Sequence, residues 1–140
     1  NIRKGKNNSM NAAVNEILKN ETAPGKTKLY DLNMVEAISG GDESFIKKML
    51  QLFLATAPVT LKEMRIAADA HEWPALSKLA HKLKSTIDSM GITSLKQDVR
   101  TIENNGKSGH ALEELPALVG KIEEVIMQVM QQVKKDHSLE

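Results

Sequence analysis

The stretch LSKLAHKLKSTIDSM, residues 76–90, decides the fold because its apolar residues recur at steps of three and four. On a helix that advances about 100° per residue, these positions form one apolar stripe. The stripe consists of Leu76, Leu79, Ala80, Leu83, Ile87 and Met90. His81 points about 140° away from the middle of this stripe, and Ser85 points about 180° away. The sequence therefore predicts a core helix that offers an imidazole to solvent.

Similar stripes on both sides of this stretch predict further helices. Before it, we expect a short helix that ends at Gly40-Gly41 and a long core helix that bends at Pro58. After it, we expect a helix that Asn104-Asn105-Gly106 closes, and a last helix with Pro116 near its first turn that runs to about residue 133. No segment shows the two-residue alternation or the hairpin turns of β-strands. Short connections between the helices favour an all-α fold, an antiparallel four-helix bundle with one or two additional N-terminal helices.

Composition limits both the architecture and the chemistry of the chain. Its 140 residues suffice for one domain, and with 41% hydrophobic but only 3% aromatic residues the core must be filled by aliphatic side chains. The absence of cysteine excludes disulfides, thiol catalysis and sulfur-bound metal sites. A formal net charge of +1 gives no general attraction to nucleic acid or to an anionic membrane. No apolar run is long enough to insert into a membrane, so we expect a soluble, cytoplasmic protein.

These patterns divide the chain into three parts. Residues 1–28 form an N-terminal extension and linker, with a short amphipathic helix at positions 10–18. Residues 29–134 form the helical bundle. Residues 135–140 form a tail, whose last residues resemble those that a cloning vector adds. Because position 1 is not methionine, we expect the chain to be a piece of a longer protein.

His81 is the residue whose neighbours point most specifically to a chemical function. Lys84 follows it by three positions and Ser85 by four, so both are its neighbours on a helix. A neutral imidazole is a nucleophile, and an ammonium group beside it can balance the charge of a phosphoryl group during transfer. Lys78 and Lys82 add positive charge around the imidazole, which favours an acidic partner surface. An exposed imidazole with an ammonium group beside it is the arrangement that a phosphoryl acceptor needs.

Other interpretations of the same residues have less support. A metal site lacks ligands, because no cysteine is present, no second histidine lies four residues from His81, and Asp88 alone completes no coordination shell. For a serine-type triad built on Ser85 and His81, nothing in the sequence supplies an orienting acid or an oxyanion hole. For the lysines around His81, the alternative to partner docking is that they only form a solvent-exposed, charged side of the helix. An idle surface position is the simplest interpretation of the other three histidines, His71, His110 and His137.

The stretch AHKLKSTIDSMG, Ala80 to Gly91, resembles the signature of histidine phosphotransfer (Hpt) domains of two-component phosphorelay systems. In that signature, the accepting histidine is followed by leucine at the second position, lysine at the third, a small residue at the fourth and glycine at the tenth. HEWPALSKLAHKLK, residues 71–84, resembles the family's approach to the histidine, and LYDLNMVEAISGGDESFIKKMLQLFLATAP, residues 29–58, resembles its opening. The resemblance covers about Leu29 to Val133 and implies a helical bundle.

The resemblance implies roles for individual residues. His81 would accept a phosphoryl group from an aspartyl phosphate and pass it to another aspartate, and Lys84 would pair with the phosphoryl oxygens. Ser85 occupies a position where the family usually has glycine, and we expect it to alter how closely a partner approaches. Asp88 also replaces a residue that is commonly smaller or uncharged, and Glu103 falls where the next helix can bring a polar group near the imidazole. We predict that the partner docks on Ser85, Lys82, Lys78, Asp88 and Glu103.

The resemblance also implies the partners. Donor and acceptor would be response-regulator receiver domains that bring their own Mg²⁺, while the chain would hold no cofactor or metal of its own. We expect a monomeric, stoichiometric carrier, either free-standing or the cytoplasmic end of a hybrid sensor histidine kinase. It would not use ATP, since the sequence has no glycine-rich phosphate loop. The dimerisation helices of sensor kinases are a poorer match, because Lys82 follows the histidine and no proline appears soon after it. The alternative function is a non-catalytic helical adaptor that binds receiver domains or other helices.

Overall fold

Five α-helices make up most of residues 28–139, the part of the chain that this computed structural model describes. Their bounds are α1 Asn33–Ser39, α2 Glu43–Asp69, α3 Trp73–Ser89, α4 Lys96–Ser108 and α5 Leu115–Asp136. Short 3₁₀ turns, Thr93–Leu95 and Leu112–Glu114, precede α4 and α5. No strand occurs in these residues, so the predicted all-α class is confirmed. The predicted helix at 10–18 and the linker after it, except residue 28, lie outside the described residues.

Helices α2 to α5 form a closed bundle, in which α3 packs on α2 and α4, and α5 packs on α4 and α2. The connections at 70–72, 90–95 and 109–114 are short, so helices that are neighbours in sequence run antiparallel. Each helix turns one apolar stripe toward the centre. Fully buried aliphatic side chains from all four helices fill that centre, among them Leu50, Met64, Leu76, Ile87, Ile102, Ile122 and Ile126. Among residues 28–139, no helix is long and apolar enough to cross a membrane.

Helix α2 is the longest element and forms one continuous helix. Asp42 is its N-cap residue. Its carboxylate accepts hydrogen bonds from the backbone N–H of Ser44 at 3.0 Å and of Phe45 at 3.3 Å. The helix passes through Pro58 without a second start. The bend at Pro58 stays a prediction.

The predicted end of α4 at Asn104-Asn105-Gly106 is wrong. The helix continues and ends at Gly109, whose φ of +78° lies in the left-handed region that favours glycine. Gly106 is instead buried within the helix. A Cβ added there would lie 3.0 Å from the carbonyl oxygen of Trp73 and 3.1 Å from Cβ of Ser77, both on α3. Glycine therefore allows close packing at this position and does not terminate the helix.

The two ends of the described chain pack together. The backbone N–H of Leu29 donates to the side-chain oxygen of Gln132 at 2.9 Å, and the hydroxyl of Tyr30 donates to Asp136 at 2.8 Å. Leu139 is only 5% exposed and belongs to the core. Helix α5 thus extends past residue 134, where the sequence reasoning placed the end of the bundle.

Candidate functional site

Helix α3 holds His81 on the outside of the bundle. Pro74 lies in the first turn, where a missing backbone N–H costs no helical hydrogen bond. The apolar stripe is buried, with Leu76, Ala80 and Ile87 fully enclosed. The His81 side chain on the other side of the helix is 67% exposed. The predicted exposure of this imidazole is therefore confirmed.

Glu103 of α4 fixes the orientation of the His81 ring. Nδ1 of His81 lies 2.6 Å from Oε2 of Glu103, and Glu103 is only 8% exposed. A carboxylate can only accept, so in the neutral ring the proton is on Nδ1 and donates to Glu103. The unprotonated Nε2 then lies on the far side of a mostly exposed ring. Glu103 was expected near the imidazole, and the structure makes it the residue that sets the tautomer.

Lys84 shares the same carboxylate. Its Nζ lies 2.8 Å from Oε1 of Glu103, so the ammonium and the imidazole each bond to one oxygen. The hydrogen bond from Lys84, followed by the one from His81, lowers the pKa of Glu103 below its ordinary value of 4.5, against the opposing effect of burial. Glu103 is therefore a carboxylate at neutral pH. The sequence reasoning placed Lys84 beside the imidazole but did not identify Glu103 as its partner.

A buried serine makes a third contact with Glu103. Ser77 is 5% exposed, and its hydroxyl donates to the backbone carbonyl oxygen of Glu103 at 2.7 Å. Ser77, His81 and Lys84 lie on successive turns of α3, and all three contact this one residue of α4. The sequence reasoning missed Ser77. The available signal was its position four residues before the histidine, on the same side of the helix.

Asp88 forms an ion pair with Arg100 of α4. Nη2 of Arg100 lies 2.9 Å from its Oδ2, and Nη1 lies 3.4 Å from its Oδ1, in a forked contact. The hydrogen bond from Arg100 lowers the pKa of Asp88 below its ordinary value of 3.8. Arg100 was not among the residues that the sequence reasoning singled out. The negative charge of Asp88 is thus largely balanced within the chain.

The other predicted docking residues share the exposed side of α3. Lys78, Lys82 and Ser85 are all exposed. The Ser85 hydroxyl donates to the Lys82 carbonyl oxygen of its own helix at 3.3 Å. Glu103 differs from them, because it is nearly buried and faces the histidine from α4. Its contact with a partner stays a prediction.

An apolar ridge on α2 borders this side of α3. Four large hydrophobic side chains remain exposed at seven-residue intervals, which places them along one side of the helix. They are Phe45, Leu52, Val59 and Ile66, which are 37–57% exposed. Leu52 and Thr56 line a groove whose other wall includes Lys82 and Thr86 of α3. The middle of the ridge therefore lies beside the predicted docking residues.

The chemistry of the site is that of an oriented nucleophile. One imidazole has its proton directed into the protein by a carboxylate, and an ammonium group neutralises that carboxylate. Such a site can bind an electrophilic group at Nε2. Residues 28–139 contain no group of three or more histidine, aspartate and glutamate side chains that could hold a metal ion.

Comparison with known proteins identifies the region that contains this site. A family model described as the Hpt domain matches residues 48–134, which is more than half of the chain. The match includes His81, Lys84 and Glu103. Comparison with curated proteins and with solved structures gave no match.

Proposed function

The chain belongs to the Hpt domain family, and on this premise we propose that His81 carries a phosphoryl group between receiver domains. It accepts the group from the aspartyl phosphate of one receiver and passes it to an aspartate of another. The general role in histidine phosphotransfer follows from the family. The observation that carries the specific assignment is the 2.6 Å contact between Nδ1 of His81 and Glu103, because it leaves Nε2 unprotonated on an exposed ring.

Transfer begins with attack of the Nε2 lone pair on phosphorus. A bond forms between Nε2 and phosphorus while the bond between phosphorus and the aspartyl oxygen breaks, and the electron pair of the broken bond stays on the receiver's carboxylate. The imidazole gains positive charge as the new bond forms. The Glu103 carboxylate at Nδ1–H balances that charge and is in place before the reaction starts. Transfer to a second aspartate reverses these steps.

Lys84 stabilises the phosphoryl group without leaving Glu103. An ammonium group has three N–H donors, and the 2.8 Å bond to Oε1 of Glu103 takes one of them. The Lys84 side chain is 28% exposed and one turn from His81, and its two remaining donors would bond to a phosphoryl group that arrives at the imidazole. Lys84 therefore serves two acceptors, one in this chain and one on the incoming group.

The receiver docks on the exposed side of α3 and on the groove beside it. The reacting atoms must approach to about 3–3.5 Å, and an interface of ordinary size buries about 800 Å² on each partner, so contact extends from α3 to its neighbours. Lys78 and Lys82 complement the acidic pocket in which the receiver holds its phosphate and Mg²⁺. Leu52 on α2 adds an exposed apolar contact across the groove. Arg100 balances Asp88, which removes a charge that would repel such a partner.

Phosphate transfer from a labelled receiver tests this proposal. A receiver phosphorylated with radioactive acetyl phosphate is mixed with the chain, and the two proteins are separated. We expect label on the chain that is stable in alkali and lost in acid, as phosphohistidine is. His81→Gln should abolish the label, while His110→Gln, which alters an exposed histidine outside the site, should retain it.

Two results would contradict the assignment. Equal labelling of His81→Gln would show that another residue is the acceptor. Tight binding of the phosphorylated receiver with no label on the wild-type chain would show that the chain is an adaptor rather than a carrier.

A further inference from the structure

Helices α3 and α4 pack tightly against each other one turn from the histidine. Ser77 lies one turn before His81 on α3, and Gly106 lies one turn after Glu103 on α4. A Cβ on Gly106 would meet the Ser77 Cβ at 3.1 Å and the Trp73 carbonyl oxygen at 3.0 Å. The two helix backbones approach this closely only because position 106 has no side chain.

A buried hydrogen bond accompanies this close approach. The Ser77 hydroxyl donates to the Glu103 carbonyl oxygen at 2.7 Å and is enclosed, since Ser77 is 5% exposed. It therefore ties the backbone of Glu103, rather than its side chain, to α3. The carboxylate of the same residue bonds to His81 and Lys84.

We propose that Ser77 and Gly106 are positioning residues for phosphotransfer, which together fix α4 on α3 so that the Glu103 carboxylate meets Nδ1 of His81. For its effect on transfer, this inference rests on the proposed function. A glutamate side chain has several rotatable bonds, so it holds a 2.6 Å contact well only if its backbone is fixed. The bond from Ser77 fixes the backbone at the residue that needs it.

The ion pair between Arg100 and Asp88 is a weaker constraint on how α4 packs on α3. Arg100 and Asp88 also join α4 to α3, but their side chains are 36% and 31% exposed. Water and salt weaken an ion pair of that exposure, and it lies a turn away from Glu103. The buried contact at Ser77 and Gly106 is therefore the one expected to set the spacing at the site.

Two substitutions perturb the spacing in different ways. Ser77→Ala keeps Cβ and removes only the hydroxyl that bonds to Glu103. Gly106→Ala adds a Cβ that forces α3 and α4 apart by a few tenths of an ångström. Alanine favours helix more than glycine does, so a loss of function in Gly106→Ala does not come from helix propensity.

Each variant has a matched control. Ser89→Ala removes a hydroxyl from the same helix, one that donates only to the Thr86 carbonyl oxygen within α3. Gly120→Ala adds a methyl group to a helical glycine of α5, where Cβ would meet Arg65 at an ordinary 3.6 Å. Neither control touches Glu103.

The experiment measures the proton position on His81 and the transfer rate in all four variants. Nitrogen-15 NMR of histidine-labelled protein reports how much of the neutral ring carries its proton on Nδ1. We expect Ser77→Ala and Gly106→Ala to shift protonation toward Nε2 and to slow transfer from the phosphorylated receiver about three- to tenfold. Ser89→Ala and Gly120→Ala should match wild type in both measurements.

The two proposals fail in different ways. If wild-type protein takes no phosphate from the receiver, the proposed function is wrong. If Ser77→Ala and Gly106→Ala leave the nitrogen-15 spectrum of His81 unchanged, the positioning role is wrong, whether or not these variants melt at lower temperature. A changed spectrum with an unchanged transfer rate would also overturn it.

Discussion

Replacing Glu103 with glutamine removes charge from the site while keeping its shape. The amide oxygen of Glu103→Gln can still accept from Nδ1 of His81, but the acceptor that faces a developing imidazolium becomes neutral, and Lys84 loses its ionic partner. Hydrogen bonds to charged groups contribute about 1.5–3 kcal/mol and neutral ones about 0.5–1.5 kcal/mol. The midpoints of these ranges differ by about 1.25 kcal/mol. If the transition state loses that much stabilisation with the charge of the acceptor, the rate falls about eightfold.

Single-turnover transfer from a phosphorylated receiver measures this effect. The chain is mixed in excess with labelled receiver, the reaction is stopped at short times, and the rate is compared with that of wild type. Glu124→Gln, which removes the same charge from an exposed position on α5, is the control and should transfer at the wild-type rate. A Glu103→Gln rate equal to wild type would refute the idea that the carboxylate stabilises the imidazolium.

The remaining predictions concern charge, docking and pH. Lys84→Ala should slow transfer about tenfold. It should lower the free energy of unfolding by no more than about 1 kcal/mol, because one partly exposed ion pair is lost. A larger loss of stability in denaturant unfolding would show that the lysine is mainly structural. Ser85→Gly should tighten receiver binding in titration calorimetry and lower the free energy of unfolding by about 0.5–1 kcal/mol. Unchanged affinity would contradict the expectation that the Ser85 side chain limits how closely the partner approaches. Leu52→Ser should weaken receiver binding in titration calorimetry, whereas Ile66→Ser, which is about as exposed on the same ridge but about four turns further along α2, should not. Equal effects of the two substitutions would place the docking surface elsewhere. The pKa of Glu103 is lowered in the folded state, so its ionisation stabilises the fold above the ordinary value of 4.5, and this contribution is lost as pH falls below 4.5. In unfolding measured as a function of pH, the stability gap between wild type and Glu103→Gln should therefore narrow as pH falls below 4.5, and a gap independent of pH would contradict the ion pair.

Periodicity alone predicted how α3 faces the core. The stripe from Leu76 to Met90 is long and regular, so the direction of His81 follows from helical geometry without knowledge of any other helix. The same reasoning predicted the bundle, because every long helix has one apolar side to bury.

The length of α4 could not be predicted in the same way. Asn104-Asn105-Gly106 has the composition of a helix end, and Gly109 offers a second glycine just beyond it. Local preference does not choose between two such sites. The choice comes from packing, because Gly106 is needed inside the helix against Trp73 and Ser77.

The pairings at the site also depend on tertiary structure. Lys84 and Glu103 are 19 residues apart, and Asp88 and Arg100 are 12 residues apart. Periodicity places each residue on a side of its own helix, but the rotation and height of α4 on α3 decide which side chains meet. The sequence therefore predicted the exposed imidazole and its neighbours on α3, whereas the partner of Lys84 and the contacts of Ser77 and Arg100 required the structure.

The position of the phosphoryl group on the ring tests the central claim most directly. Phosphorus-31 and nitrogen-15 NMR of the histidine-labelled, phosphorylated chain shows which ring nitrogen is bonded to phosphorus. The geometry predicts phosphorus on Nε2 of His81, with the proton on Nδ1 still bonded to Glu103. Phosphorus on Nδ1, or on any residue other than His81, would contradict the account.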